Sequence, residues 1–292
     1  MRQIHFVRIL ASIFLLMLCP LLFLPSAMYY SKPSVAAYAE EDAFSFHVSP
    51  QDTPTLAEPA DAILHVEILR ENEDELVSPE KKILIYHTHT YEAYEQSENR
   101  YKEIEKWRTA DSDYNVLAVG KALAASLRSM GFDVTHDETA FEPPTLEDAY
   151  SRSLSMLEAR SAKGEVYDLY IDLHRDAIST SSTIKRTVNI GGETVARFMV
   201  LVGKGTTGGY TEKPDWEANL VIATAITDRL NAQCSGLARD VKIKTGRFNQ
   251  HVSDSCVLIE CGMNCNTLEE VLTGIPYLAQ AISDTLTENS SR

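Results

Sequence analysis

Three mostly apolar runs that each end in a potential metal ligand constrain the fold more than any other feature of the sequence. The runs and the residues that follow them are 83–86 with His87, His89 and Glu92, 169–173 with His174, and 257–259 with Glu260. In an open α/β sheet, ligands bind outside the carboxyl ends of the strands. Two imidazoles and a carboxylate at one sheet edge are a typical zinc ligand set, so we expect a single site that binds zinc.

The region from residue 81 onward alternates strand and helix patterns. Apolar residues at helical spacing predict helices over 113–130, 145–163, 215–231 and 267–289. Strands are predicted over 83–86, 132–136, 167–173, 241–244 and 256–260, and Gly191-Gly192 predicts a hairpin between 187–190 and 195–202. This alternation predicts an α/β fold with a mixed, largely parallel central sheet flanked by helices.

The beginning of the chain is typical of an exported protein. Residues 9–29 are almost wholly apolar and carry no charge, and Arg2 and Arg8 precede them. About 20 apolar residues span a bilayer, and positive flanks stay in the cytoplasm. Residues 1–29 therefore predict a single-pass signal anchor in the cell membrane, with the remaining chain extracytoplasmic. A signal peptide cleaved near Ala37-Tyr38-Ala39 is the alternative.

Residues 30–80 differ in composition from the rest. They contain 12 acidic and 2 basic residues and several prolines, which predicts an acidic extracytoplasmic linker. An apolar patch at 62–69 within it is a candidate edge strand. Residues 81–292 are the expected catalytic domain. The net charge of the whole chain is −15, and the absence of a basic block argues against a nucleic-acid partner.

The first run offers two imidazoles. Side chains alternate along a strand, so His87 and His89 face opposite sides unless the chain turns after residue 87. We expect His87 to be a metal ligand, and His89 to bind substrate, orient water or hold the loop. The alternative is that His89 is the ligand and His87 has the other role. Glu92 is the expected carboxylate ligand, and its alternative role is to stabilise a helix N-terminus.

The second and third runs supply the remaining chemistry. His174 is the second expected imidazole ligand, and Asp172, two residues earlier on the same face, can accept its N–H; a salt-bridged strand end is the alternative. Glu260 follows a buried strand, where burial would raise its pKa and suit it to act as a general base. An ion pair between Glu260 and Arg247 or Arg175 is the alternative.

Two further groups are candidate substrate contacts. Arg175 is expected to stabilise the oxyanion or bind a substrate carboxylate, with Asp176 supporting it. Asn249 and Gln250 carry the donors and acceptors needed to bind a peptide or sugar amide, although an ordinary loop would contain the same residues.

The motifs occur in the order found in one known family. The matching segments are Tyr86-His87-Thr88-His89-Thr90 with Glu92, Asp172-Leu173-His174-Arg175-Asp176-Ala177, Asp215-Trp216-Glu217-Ala218-Asn219-Leu220, Asn249-Gln250, and Leu258-Ile259-Glu260 with Asn266-Thr267-Leu268-Glu269-Glu270. Over about residues 81–287 they resemble the stage II sporulation protein P family of peptidoglycan hydrolases, which is similar to zinc N-acetylmuramoyl-L-alanine amidases.

The resemblance implies a function and a setting. It implies cleavage of the amide between the muramic acid lactyl group and the stem peptide, with possible endopeptidase activity on peptide cross-links. It implies a role at the forespore-engulfing membrane during sporulation. The implied partners are a lytic transglycosylase and a polytopic membrane protein of the engulfment complex. A non-catalytic wall-binding scaffold and a metallopeptidase that acts on free peptides are the alternatives.

Overall fold

The computed structural model describes residues 80–288. The expected signal anchor, the expected edge strand at 62–69 and nearly all of the expected linker lie outside these residues. Across 80–288, no helix combines the length and the apolar character needed to cross a membrane.

A six-stranded sheet forms the centre of the described residues. Its strands are β1 (Lys82–Tyr86), β2 (Asp133–His136), β3 (Leu169–Asp176), β6 (Phe198–Gly203), β7 (Lys242–Lys244) and β8 (Cys256–Met263). They lie in the order β2-β1-β3-β8-β6-β7. Strands β2, β1, β3 and β8 are mutually parallel, and β6 runs antiparallel to β8. The prediction of a mixed, largely parallel sheet is therefore confirmed.

Four helices pack on the sheet. They are α1 (Val116–Ser129), α2 (Ala149–Ala162), α3 (Trp216–Gln233) and α4 (Leu268–Glu288). Two of the helix starts are fixed by side-chain caps, since Asn115 accepts a hydrogen bond from Leu117 N and Asp215 accepts one from Ala218 N. Such caps satisfy backbone N–H groups that have no partner inside the helix.

Different hydrophobic clusters pack on the two faces of the sheet, because successive side chains of β1 point to opposite faces. Ile83 and Ile85 belong to a large core shared with α1, α3 and α4. Leu84 and Tyr86 point the other way, into a small cluster with Leu157 of α2. In the described part of the chain, only a small apolar cluster therefore packs on the second face. Polar residues on this face, near the carboxyl ends of the strands, can form a site.

The predicted hairpin needs a correction. Residues Thr187–Ile190 (β4) and Glu193–Ala196 (β5) pair antiparallel around Gly191 and Gly192, but the second arm ends there. Residues 198–202 were expected to belong to that arm, and instead they lie in β6 of the main sheet. All six residues of β6 are buried, so they gain more from the central core than from a two-stranded ribbon at the surface.

The order of the strands brings the predicted residues to one edge. Within the parallel strands, Tyr86 lies opposite Asp172, and His174 lies opposite Glu260. The segments after β1, β3 and β8 therefore meet at the carboxyl ends of adjacent strands, which is where an open α/β sheet forms its sites.

Candidate active site

His174 is the centre of a buried charged cluster. Its Nδ1 lies 3.3 Å from Oε2 of Glu92, and its Nε2 lies 2.9 Å from Oδ1 of Asp172. Burial alone would lower the pKa of His174, but these two carboxylates outweigh burial and raise it well above its ordinary value. Burial opposes the charge of Glu92 as well, yet the neighbouring His174 holds the pKa of Glu92 down, to about 2. The two carboxylates therefore strongly stabilise the positively charged form of His174.

Asp172 is fixed by the chain that follows β1. Its Oδ1 accepts a hydrogen bond from the backbone N–H of Thr88 at 2.8 Å, and its Oδ2 accepts one from Thr88 Oγ1 at 2.7 Å. Thr88 Oγ1 also lies 2.9 Å from Ser153 Oγ on α2. These contacts hold the Asp172 carboxylate against His174, as expected for a carboxylate that orients a ligand imidazole.

His89 lies beside His174. The centroids of the two rings are 5.2 Å apart, with the ring planes at 84°. The Nδ1 atom of His89 lies 3.3 Å from Oε1 of Glu142. The loop after residue 87 has turned His89 toward the same side as His174, which is the turn that the sequence left open.

Glu142 is a site residue that sequence reasoning missed. It follows β2 and is only 3% exposed. Its Oε2 accepts hydrogen bonds from Nη2 of Arg108 at 2.9 Å and from the backbone N–H of Tyr91 at 3.1 Å. Its Oε1 is buried without a hydrogen-bond partner. No local sequence pattern marks Glu142; the pairing of β2 with β1 brings the segment that follows β2 to the same edge of the sheet.

Glu260 faces the cluster from β8. It is 8% exposed, and its Oε2 is buried without a hydrogen-bond partner. Burial raises its pKa to about 8, and the charge of His174 opposes that rise. A carboxyl group in these surroundings can hold or release a proton near neutral pH, as a general base or acid requires.

The structure turns His87 away from this cluster. Its Nδ1 lies 2.9 Å from the backbone oxygen of Leu173, and its Nε2 lies 2.8 Å from Nε2 of His136. Burial, followed by the proximity of His136, lowers the pKa of His87 to about 3. Of the expected set of His87, Glu92 and His174, the structure brings Glu92 and His174 together, and His87 faces α1.

Alternation along β1 explains this placement. His87 continues the series of Ile83 and Ile85 and so points to the face that α1 covers. Gly120 of α1 makes room for it, since a Cβ atom there would lie 2.5 Å from Nε2 of both His87 and His136. His87 thus has a packing role on the far side of the sheet.

Arg175 reaches the cluster, with Nη1 3.7 Å from Oε1 of Glu92, but its side chain is held inside the protein rather than free for a substrate. It is 6% exposed, its Nε donates to the backbone oxygen of Ala93 at 3.0 Å, and its Nη2 donates to that of Trp107 at 3.1 Å. Its backbone N–H donates to Glu92 Oε2 at 3.1 Å. Arg175 holds the chain that follows Glu92 in place. Asp176 does not support it, because Asp176 forms an ion pair with Arg239.

Asn249 and Gln250 are buried, and their amides are used inside the protein. Asn249 Nδ2 donates to the backbone oxygen of Tyr150 at 2.8 Å and to Ser153 Oγ at 3.0 Å. Gln250 accepts from the N–H of Gly203 at 2.8 Å and donates to the oxygen of Leu201 at 2.9 Å. These contacts fix the loop to α2 and β6, and the role of both residues in substrate binding stays a prediction.

Two aromatic rings continue the site beyond His89. Tyr150 packs edge-to-face on His89 with ring centroids 5.5 Å apart, and Phe248 packs on Tyr150 at 5.9 Å. Burial, and then the carboxylate of Asp172, raise the pKa of Tyr150 well above its ordinary value. The phenol therefore stays neutral, with an O–H that can donate to a bound ligand.

Comparison with known protein families identifies the family of this chain. The family model described as Stage II sporulation protein P matches residues 34–283. The chain belongs to the stage II sporulation protein P family. No curated protein matches the chain.

Several solved structures resemble this member of the stage II sporulation protein P family. The N-acetylmuramoyl-L-alanine amidase AmiC2 of Nostoc punctiforme is 14% identical, with a TM-score of 0.43, and the match covers 73% of this chain and 98% of that one. The catalytic domain of the CD27L endolysin targeting Clostridia difficile is 17% identical, with a TM-score of 0.45 and coverage of 71% and 97%. An N-acetylmuramoyl-L-alanine amidase from Clostridium difficile 630 is 13% identical, with a TM-score of 0.46 and coverage of 73% and 98%.

The donors around His174 fit the zinc ion that the family resemblance implies. As they stand, no three His, Cys, Asp or Glu side chains of residues 80–288 are grouped as a formed metal site. The buried atoms of the cluster without a hydrogen-bond partner nevertheless include His89 Nδ1, Glu142 Oε1 and Glu260 Oε2. Such atoms are costly unless a ligand uses them, and imidazole and carboxylate donors are those that zinc prefers.

Proposed function

We propose that the chain is a zinc-dependent peptidoglycan hydrolase that cleaves the amide between N-acetylmuramic acid and the first residue of the stem peptide. Membership of the stage II sporulation protein P family supports the substrate class. The observation that carries the chemistry is the placement of Glu260, with a buried, unpaired Oε2, opposite His174 on the neighbouring strand.

The ligands of zinc in this proposal are His89, His174 and Glu142. His89 replaces His87, because His89 is the imidazole of that loop that faces His174. Glu142 replaces Glu92, because Glu142 keeps Oε1 free while Oε2 of Glu92 accepts the N–H of Arg175. Asp172 orients His174. Zinc in such a site lowers the pKa of a bound water from ~15.7 to about 7 and polarises the scissile carbonyl.

The protein's own residues move the protons. Glu260 Oε2 accepts the proton of the attacking water and then delivers it to the nitrogen of the leaving peptide. Its raised pKa, about 8, keeps the energies of the protonated and ionised forms close, so both transfers are accessible near neutral pH. The O–H of Tyr150, next to His89, can orient the sugar or peptide side of the substrate.

Product analysis on purified sacculi tests this proposal. We expect the zinc-loaded full chain to release intact stem peptides from glycan strands, and Glu260→Gln to keep zinc but release none. Peptides cut internally would make the enzyme an endopeptidase. Zinc binding without any product from sacculi would favour a wall-binding scaffold, and cleavage of free peptides alone would favour a metallopeptidase.

The cellular setting follows from the family and from the start of the chain. We infer that residues 1–29 anchor the protein in the cell membrane and that the hydrolase acts outside it during forespore engulfment. A lytic transglycosylase and a polytopic membrane protein are the partners in this proposal. Fractionation of sporulating cells checks the first inference, since a soluble full-length protein would contradict it. Co-purification checks the second.

A further inference from the structure

Arg239 lies beside the proposed active site and is incompletely paired. Its backbone N–H donates to the oxygen of Phe198, next to Met199, which lies opposite Glu260 in the sheet. Its Nη1 lies 2.7 Å from Oδ2 of Asp176, and its side chain is 13% exposed. Its Nε and Nη2 are buried without a hydrogen-bond partner.

The two unpaired nitrogens form one edge of the guanidinium. The N–H of Nε and one N–H of Nη2 point in parallel, and this fork matches the two oxygens of a carboxylate. Among the described residues, Asp176 is the one acid within 4.0 Å of Arg239, and it engages only Nη1. A buried N–H without a partner is costly, so an anion that reached this unpaired edge would relieve that cost.

The neighbouring Arg197 has a structural role, because, among the described residues, its side chain donates hydrogen bonds only to backbone oxygens. Arg197 donates from Nε to the oxygen of Gly236, from Nη1 to that of Lys185, and from Nη2 to that of Ala238. All three of its nitrogens are satisfied by backbone. The guanidinium of Arg239 is close enough to contribute to lowering the pKa of Arg197, after burial. The guanidinium of Arg239 therefore differs from that of Arg197 in having two nitrogens without a hydrogen-bond partner.

Asp176, the ion-pair partner of Arg239, lies close to the strand position of Glu260. Asp176 and His174 are two residues apart on β3 and share a face, and Glu260 pairs with His174 across the sheet. The charges of Asp176 and Arg239 both act on Glu260, the first raising its pKa and the second lowering it.

We propose that Arg239 binds a free carboxylate of the substrate's peptide through Nε and Nη2, with Asp176 fixing the guanidinium. This inference rests on the proposed hydrolase function and adds a specificity to it: an acidic peptide is preferred over its carboxamide. It assigns to Arg239 the carboxylate contact that the sequence suggested for Arg175, whose Nε and Nη2 donate to backbone oxygens.

A pair of matched substrates tests the proposal. One is a muramoyl-peptide with a free carboxylate beside the scissile amide, and the other is the same compound with that group as a carboxamide. For the zinc-loaded full chain we expect a lower KM for the acid. Arg239→Gln should raise the KM of the acid by about 10- to 100-fold and that of the carboxamide by less than about 3-fold, with kcat little changed, because a charged hydrogen-bond pair is lost before the chemical step.

Two further variants distinguish loss of the carboxylate contact from misfolding. Arg239→Lys keeps the charge but loses the fork, so we expect an intermediate preference for the acid. Asp176→Asn leaves Arg239 in place but less firmly held, and should reduce the preference partially. Thermal unfolding of each variant identifies any that fails to fold, and calorimetry with the free peptide acid and its amide measures binding without turnover.

Failure of this inference is distinguishable from failure of the hydrolase proposal. Hydrolysis of both substrates with equal KM, or an equal loss on both in Arg239→Gln, would overturn the carboxylate contact and leave the hydrolase intact. If the wild-type chain cleaves neither substrate, the hydrolase proposal fails. Calorimetry then still decides, since equal affinity for the acid and the amide would overturn the role of Arg239.

Discussion

Asp172 and His174 lie two residues apart on β3, with Oδ1 of the first 2.9 Å from Nε2 of the second. Thr88, which follows the neighbouring strand, donates two hydrogen bonds to the same carboxylate. The imidazole of His174 is therefore positioned by a carboxylate that is itself held by an adjacent strand end, and Nδ1 of His174 faces Glu92, 3.3 Å from its Oε2.

Replacing Asp172 by Asn should separate this orienting role from the fold. The amide keeps the shape of the carboxylate but loses its charge, so His174 is held less firmly, and we expect zinc affinity or kcat to fall by about 10- to 100-fold. Zinc titration and steady-state kinetics measure both quantities. Asp168→Asn is the matched control, because Asp168 pairs with the partly exposed Lys81 at the other end of β3. Unchanged zinc affinity and kcat in Asp172→Asn would refute the role.

Much of this arrangement could be predicted from the sequence. Apolar runs that end in polar residues indicate buried strands, and the carboxyl ends of adjacent parallel strands share one edge, so the approach of His174 to Glu260 follows from the pattern. The pairing of the two residues in register is what the structure adds.

The choice between His87 and His89 depended on the point where β1 ends. Had the alternation of Ile83 and Ile85 been extended by one step, His87 would have been assigned to the face of α1. Glu142 carries no comparable local signal. Its place depends on contacts with Arg108 and Tyr91, which lie 34 and 51 residues away in the chain. Arg239 likewise depends on a long-range contact, with Asp176.

The two histidines after β1 should behave differently when each is replaced by Ala. His89→Ala removes a proposed zinc ligand, so we expect loss of zinc and of hydrolysis with a small effect on stability. His87→Ala removes a buried ring from the face of α1 and leaves Nε2 of His136 without a partner. That should destabilise the fold by ~1–3 kcal/mol while zinc is retained. Metal analysis and denaturant unfolding distinguish the two, and loss of zinc in His87→Ala alone would restore His87 as the ligand.

Two carboxylates compete for the role of zinc ligand, and matched amide variants can separate them. Glu142→Gln removes the carboxylate whose Oε1 is free beside His89, so zinc affinity should fall by at least about 10-fold. Glu92→Gln weakens a contact with His174 and with the backbone of Arg175, and we expect a smaller loss. Zinc titration of both purified variants is the measurement. A larger loss in Glu92→Gln would reverse the assignment.

Gly120 offers a test of the packing around His87 that leaves the proposed site untouched. An added Cβ would lie 2.5 Å from Nε2 of His87 and of His136, closer than such atoms can approach. The higher helix propensity of Ala favours Gly120→Ala by at most about 1 kcal/mol. Overpacking typically costs ~1–3 kcal/mol, so we expect net destabilisation in denaturant unfolding.

The double variant Gly120→Ala/His136→Ala should recover part of this loss, because removal of the His136 ring leaves space into which His87 can move. Both changes lie on the α1 side of the sheet, so zinc content should match that of the wild type in each. A Gly120→Ala protein as stable as the wild type would show that the two imidazoles are not packed against α1. Loss of zinc in either variant would place His87 back in the metal site.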